Sequence, residues 1–311
     1  MKQTIFLFYG FGSEYVLHGL YKEMKKRKYI CLEIDVLAVK DSTKMIQNLR
    51  GKQVVFVTSA HFLLNKKNFT EFYPNNNIFY GVLEIIQLIK PIKSVYIPHD
   101  LTQPVIDKEI EYLNQFDLFL TPTESFNSVF AEYCRTEEVG WIKLSEHMRK
   151  IQFNNSKTAI WLLSDYVLYL KMGKEASFKK LQPVLDQGVS IKFPFWMESE
   201  SFTQYFKNKG VVVYSPQANS IELIMKHQII ITNGLSSINA ESYLMGKTTI
   251  NIEEGSHYGD SKTYLTELLP DIMFYEKISD FKLADIPILK KSCMLKPFNM
   301  KKTIELIMHT L

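Results

Sequence analysis

Short runs rich in β-branched and aromatic residues alternate along this chain with stretches whose apolar positions recur every three or four residues. The runs predict strands, the recurring positions predict amphipathic helices, and regular alternation of the two predicts βαβ units with mostly parallel sheets. In the first half the predicted strands are Thr4–Phe8, Tyr29–Val36, Gln53–Thr58, Ser94–Ile97 and Asp117–Thr121, with helical patterns over Glu14–Arg27, Gln103–Asn114 and Glu124–Cys134. A second series of strands follows at Thr158–Leu163, Val189–Phe193, Val211–Tyr214, Ile229–Thr232 and Thr248–Ile252. The polar stretch Gln152–Lys157 lies between the two series and marks a boundary. The division expected is residues 1–155, residues 156–298 and a closing helix at 299–311, which begins on Asn299, a helix-capping residue type.

The fold class expected is therefore α/β, with two Rossmann-like domains facing a central cleft at the carboxyl ends of both sheets, where open α/β sheets bind ligands. A length of 311 residues accommodates two such domains. With 46% hydrophobic and 23% charged residues, the composition excludes a disordered chain.

Charge narrows the classes of partner. The net charge is +4, and only four of the 37 basic residues are arginines, so planar, bidentate recognition of a nucleic-acid backbone has few instruments, and no nucleic-acid partner is expected. The run Lys25-Lys26-Arg27-Lys28 closes a predicted helix, where cations suit the helix dipole; the same run is suited to peripheral contact with an anionic membrane surface. The three cysteines, Cys31, Cys134 and Cys293, are far apart and lack C-x-x-C spacing, which argues against a disulfide framework or a zinc site and suits a reducing compartment. The amino terminus reads as a strand and glycine loop rather than a signal sequence. The longest apolar stretch, near Ala159–Leu170, is too short to span a bilayer. A cytoplasmic location follows, with the inner face of the membrane as the place of any peripheral contact.

The most informative segment for chemistry runs from Ile231 to Glu253. It reads as a buried strand, a turn containing Gly234, Ser236 and Ser237, a short helix stopped by Gly246, and another strand. Such a turn presents unpaired backbone N–H groups and hydroxyls to a diphosphate, and Glu241, one turn into the helix, is placed to accept hydrogen bonds from ribose hydroxyls. The same residues also fit an ordinary capped βα turn. Gly246-Lys247-Thr248 imitates the end of a phosphate-binding loop but follows its helix instead of preceding it. Lys192 ends an apolar strand, a costly place for a charge unless a phosphate or carboxylate meets it. His99 follows a strand and precedes a helix, where a neutral imidazole could take a proton from an attacking hydroxyl. The loop with Gly10, Gly12 and Ser13 permits close approach of a ligand, but Tyr15 stands where a dinucleotide-binding motif has its third glycine, so this loop is assigned to the acceptor side.

Ser236-Ser237, Glu241 four residues on and Lys247 six further resemble the signature of CDP-glycerol glycerophosphotransferases, the teichoic-acid polymerases. More loosely, the segment is similar to the donor-binding half of GT-B glycosyltransferases and of UDP-N-acetylglucosamine 2-epimerases. Lys192 in its strand, the strand at Val211–Tyr214 and the helix from Asn219 follow in the family's order, and Tyr96-Ile97-Pro98-His99-Asp100 is similar to the family's strand ending in a His-Gly pair that supplies a catalytic base. The sequence departs from the family at Gly234-Leu235, at Pro194-Phe195 and at Asp100.

The resemblance implies a GT-B-like transferase with a nucleotide-activated sugar, or a polyol phosphate, as donor and a hydroxyl of a surface glycan or teichoic-type polymer as acceptor. It also leaves open an epimerase and a non-catalytic nucleotide- or glycan-binding subunit. No D-x-D, H-E-x-x-H or other ligand spacing occurs, so no metal and no cofactor is expected, and the leaving diphosphate is expected to be met by lysine, hydroxyls and a helix dipole.

Overall fold

The computed structural model describes residues 3–10, 16–35, 43–59, 81–98, 101, 113–144, 157–164, 166–194, 198–254, 262, 265–266, 269, 271–289 and 292–309. The chain forms two units. The first comprises Met1–His99, Pro104–Ser145 and Leu295–Leu311, and the second Asp100–Gln103 and Glu146–Met294. The predicted boundary at 152–157 lies, apart from Lys157, outside the described residues.

The first unit is a parallel sheet of β1 (Ile5–Gly10), β2 (Ile30–Asp35), β3 (Val54–Thr58), β4 (Lys93–Tyr96), β5 (Leu118–Thr121) and β6 (Thr136–Glu138), in the order β2-β1-β3-β4-β5-β6. Its inner strands β1 and β3 read as unbroken apolar runs because both faces are covered. Leu7, Tyr9, Val54 and Phe56 enter one core, while Phe6, Phe8, Val55 and Val57 enter the other. Burying each such side chain contributes roughly 1.5–3 kcal/mol. Helices α1 (His18–Lys26), α2 (Thr43–Gln47), α3 (Val82–Ile89) and α4 (Glu124–Phe130) connect the strands. In α3 the buried residues Val82, Ile85 and Ile89 fall on one face, and Glu84 accepts a hydrogen bond from the Gly81 amide at 2.8 Å to close the first turn. The short β6, Thr-Glu-Glu, carries no apolar run and so gave no strand signal in the sequence.

The second unit is a parallel sheet of β7 (Ala159–Leu162), β8 (Ser190–Lys192), β9 (Val213–Tyr214), β10 (Ile229–Thr232), β11 (Thr248–Ile252) and β12 (Met273–Tyr275), ordered β12-β11-β10-β7-β8-β9. Helices α5 (Val167–Met172), α6 (Lys174–Leu185), α7 (Ser199–Asn208), α8 (Ser220–Lys226) and α9 (Ser237–Leu244) link them. Trp161, Phe193, Phe202 and Phe206 fill one face of the sheet. The other face is more polar, with Ser190 and Lys192 on β8, Thr232 on β10 and Asn251 on β11 all buried.

The order of each sheet defines where it can bind. In the second unit the chain leaves β7 toward β8 and β9, then returns to the far side of β7 as β10, so the direction of winding reverses between β7 and β10. In the first unit the same reversal falls between β1 and β3. A crevice opens at the carboxyl ends of the two strands flanking such a point, because the flanking connections leave on opposite faces.

The closing helix α10 (Met300–Met308) belongs to the first unit. Asn299 caps it, accepting from the Lys302 amide at 2.9 Å, and Ile304 and Ile307 join the core against β1 and β3. The preceding segment is fastened by backbone pairing of Trp141 with Pro297 and by the Asn299 amide donating to the Val139 carbonyl at 2.7 Å. Gly140, at φ +83°, makes this approach possible, since a Cβ there would collide with the Pro297 carbonyl. Replacement by alanine combines that clash with left-handed strain. Gly140→Ala is expected to destabilise the first unit by about 2–3 kcal/mol, read as a lower midpoint in urea unfolding.

Candidate functional site

At the reversal point of the second unit, the exits of β7 and β10 are tied by side chains. The Ser164 amide donates to Asn233 Oδ1 at 3.0 Å and the Ser164 hydroxyl donates to the Asn233 carbonyl at 2.7 Å. Asn233 is fully buried, so its polar atoms are matched inside the protein instead of by water. The chain then turns through Gly234, at φ +68°, a region that favours glycine.

A second set of bonds fixes that turn from below. Asn239 donates from Nδ2 to the Gly234 carbonyl at 2.9 Å, and its Oδ1 accepts from the Thr232 hydroxyl, which also lies 3.2 Å from Asn251 Oδ1. Asn251 in turn donates to Glu253 Oε1 at 2.7 Å. Ser236 is the N-cap of α9, extended at φ −152° and ψ 145°, with its hydroxyl accepting from the Ile238 amide at 3.3 Å. Ser236 and Ser237 are half-buried while the bonds beneath them are fully buried. The turn therefore holds the start of α9 on a rigid base: the Ile238 amide is taken by the Ser236 hydroxyl and the Asn239 amide by the Ser236 carbonyl at 3.0 Å, which leaves the Ser237 amide and the two hydroxyls to suit an anion.

Lys192 stands at the carboxyl end of β8, two strands from β10 and so about 10 Å away across the sheet. It is 7% exposed, and its only partner among the described residues is its neighbour's carbonyl, Phe193 O, at 3.5 Å. Burial without a counter-charge lowers its pKa from the usual lysine range to about 8.

Lys247 provides the contrast. It precedes β11 and therefore lies at the opposite, amino-terminal edge of the sheet, where its ammonium donates to the carbonyls of His227 (2.8 Å) and Met225 (3.1 Å) at the end of α8. Its likeness to a phosphate-binding lysine is confined to sequence. His227, beside it, donates from Nδ1 to the Leu223 carbonyl at 2.8 Å, and burial lowers its pKa, keeping the ring neutral.

Gly234, Ser236, Ser237 and Lys192 are thus brought to one edge of the second sheet. Glu241 lies on α9 as the sequence predicts, but 2% exposed. Glu254, beyond β11, is committed to Lys180 at 2.7 Å and to the Ile278 amide at 2.6 Å. Burial would raise its pKa, and these partners outweigh burial and hold it below the usual carboxylate value. In the first unit Gly10 ends β1 at that sheet's reversal point and is buried, whereas Gly12, Ser13 and His99 lie outside the described residues. Among the described residues no group of three or more His, Cys, Asp or Glu is arranged to hold a metal ion.

Sequence reasoning missed Ser164, Asn233, Asn239 and Asn251. Their signal was an amide or hydroxyl in otherwise apolar strand and helix positions, where an unpaired polar group would be too costly to keep.

No family model matches the chain, and no curated protein matches it. Among solved structures it is similar to the wall teichoic acid polymerase TagF, at 11% identity and a TM-score of 0.49 over 89% of this chain and 76% of that one. It is also similar to the glycosyltransferase SnogD from Streptomyces nogalater, at 11% identity and 0.45 over 100% and 95%, and to a UDP-N-acetylglucosamine 2-epimerase, at 12% and 0.41 over 90% and 86%. These are the groups that the motif resemblance names, and likenesses of this size carry no residue roles.

The buried network under the turn is testable on its own. Asn239→Ala removes the donor to Gly234 and the acceptor of Thr232 together, and is expected to cost about 2–4 kcal/mol in urea unfolding, because two buried polar groups lose their partners.

Proposed function

We propose that this protein is a metal-independent glycosyltransferase that takes a nucleotide-activated sugar and passes the sugar to a hydroxyl of a surface-polysaccharide or teichoic-type acceptor. The observation that carries the reading is the pairing, on one sheet edge, of a helix N-terminus anchored at the reversal point with a buried lysine that has no counter-charge among the described residues. In this reading the diphosphate of the donor accepts hydrogen bonds from the Ser237 amide and the Ser236 and Ser237 hydroxyls at the positive end of α9, and Gly234 allows its close approach. Lys192 neutralises the remaining charge as the nucleoside diphosphate leaves, so that lysine and helix dipole meet the charge without a metal.

Glu241 is assigned to the ribose hydroxyls. His99 is assigned as the general base that takes the proton of the acceptor hydroxyl. The loop with Gly10, Gly12 and Ser13 is assigned to the acceptor. A cytoplasmic location suits a nucleotide-activated donor.

Binding is tested first, by calorimetry with UDP, CDP, GDP and CMP. One nucleoside diphosphate is expected to bind well above CMP. Lys192→Met is expected to weaken it roughly 10- to 100-fold, the value of a charge-assisted hydrogen bond. Binding of all four unchanged by Lys192→Met would remove the diphosphate site.

The pH dependence has a definite sign. Phosphate needs the ammonium form, so affinity should fall as pH rises through about 8, where free Lys192 loses its proton. Stability moves the other way: the unfolded lysine holds its proton up to its ordinary, higher pKa, so between about 8 and that value the unfolded state binds more protons and folding gains as pH rises. Lys192→Met should flatten both trends.

Turnover is tested with labelled donor and an acceptor glycan. His99→Ala is expected to lower turnover by at least about 100-fold while leaving nucleotide affinity in place, and EDTA is expected to change nothing. Conversion of UDP-N-acetylglucosamine in the absence of any acceptor would instead identify an epimerase.

A further inference from the structure

The register of the first sheet gathers sequence-distant cations at its amino-terminal edge. Ile30 opens β2 opposite Ile5, the Ile5 amide donates to the Gln53 carbonyl, and the Ile92 amide donates to the Val54 carbonyl, so the segments entering β3 and β4 are neighbours and the one entering β2 lies on the same edge, one strand further along beyond β1. The segment entering β2 carries Lys25, Lys26 and Lys28, the one entering β3 carries Arg50 and Lys52, and the one entering β4 carries Lys90, all exposed. Residues 25–29, 48–53 and 90–92 contain no acid. Arg27 is held by Glu23 at 2.9 Å, which leaves the other six without an acidic neighbour inside these segments. A hollow of about 410 Å³ opens between the second and third segments, lined by Arg50, Lys52, Gln87 and Lys90.

Two of the five large hydrophobic side chains exposed among the described residues lie on this same edge, Ile30 (38%) and Ile92 (44%). Cations around exposed aliphatic groups match an anionic lipid surface, where lysines meet phosphate headgroups and short apolar side chains enter the interfacial zone. A nucleic acid would call for stacking aromatics and arginine forks instead.

We propose that the amino-terminal edge of the first sheet, at the entries to β2, β3 and β4, docks peripherally on an anionic phospholipid bilayer. The docking stands apart from the donor site of the second unit, because its residues lie on other elements and at the opposite kind of sheet edge.

The test is flotation of the full chain with vesicles of phosphatidylcholine alone or with roughly one-third phosphatidylglycerol. Binding is expected to the mixed vesicles, not to phosphatidylcholine, and to fall steeply between about 0.05 and 0.5 M salt. Each cation near such a surface raises partitioning roughly fivefold, so the quadruple variant Lys25→Gln, Lys26→Gln, Arg50→Gln, Lys52→Gln should lose at least about 100-fold. Ile30→Ser with Ile92→Ser should remove the part of binding that survives high salt. A charge-matched control, Lys174→Gln, Lys179→Gln, Lys207→Gln, Lys209→Gln in the second unit, should bind as the parent does. The proposal is overturned if the control loses as much as the edge variant, if phosphatidylcholine alone binds equally, if mixed vesicles fail to bind at low salt, or if a single-stranded oligonucleotide displaces the vesicles at equal phosphate. Melting temperature and nucleotide affinity report that the variants remain folded.

Discussion

The hydrogen bonds that join Ser164 to Asn233 and Asn239 to Gly234 hold the carboxyl edge of the second unit's sheet in shape. A sheet that reverses its winding leaves two strand exits side by side whose connections depart on opposite faces; the ladder between β7 and β10 ends at the Ile231–Trp161 pair, and beyond it the diverging connections need other ties. Here buried amides supply them. Because Asn233 and Asn239 are fully buried, each bond replaces one that water would have made, and the turn cannot move without leaving donors and acceptors unmatched. A rigid turn matters for anion binding, since amides that must first be ordered lose affinity to the entropy of ordering.

The two buried lysines of this unit show how context decides what a charge is for. Both have pKa values lowered by burial, Lys192 to about 8 and Lys247 to about 7. Lys247 nevertheless has carbonyl partners at ordinary hydrogen-bond distance and closes the end of α8, a structural task. Lys192 has one marginal contact, and the energy of taking its ammonium out of water is not returned within the described residues. An incoming phosphate would return it. Lys247 is the nearer of the two to the signature serines in sequence, yet strand direction separates it from them by the length of the sheet.

Much of the fold was legible because both sheets are parallel and buried on two faces, so their strands read as unbroken apolar runs, as in Ile5–Gly10 and Val54–Thr58. What escaped was what had no such run or only a short one: β6 is Thr-Glu-Glu, and β12 is only Met-Phe-Tyr, three half-buried residues. The candidate edge was legible at Gly234, Ser236, Ser237 and Lys192 because glycine, hydroxyls and a strand-end lysine are unusual in those positions. The asparagines beneath were not, since which polar side chains meet across β7, β10 and β11 depends on strand order, and strand order is not local. Nor did the run Lys25–Lys28 announce its companions, because Arg50, Lys52 and Lys90 join it only through the register of β1, β2, β3 and β4.

One polarity underlies both edges. In a parallel sheet with helical crossovers every helix runs against its strands, so amide-bearing helix starts gather at the carboxyl edge and carbonyl-bearing helix ends at the amino edge. The carboxyl edge then favours anions, as the turn before α9 does, and the amino edge favours cations. Lys25 and Lys26 in the last turn of α1, and Lys247 on the carbonyls after α8, follow that rule. The dipole accounts for a cation in the last turn of each helix, but its reach ends there. Arg50 and Lys52 lie in the approach to β3, beyond the end of α2, and Ile30 and Ile92 gain nothing from a dipole at all. An edge that carries more positive charge than its helix ends call for, with aliphatic side chains left in water among the cations, is what docking on an anionic bilayer would require and what the fold of the unit alone does not.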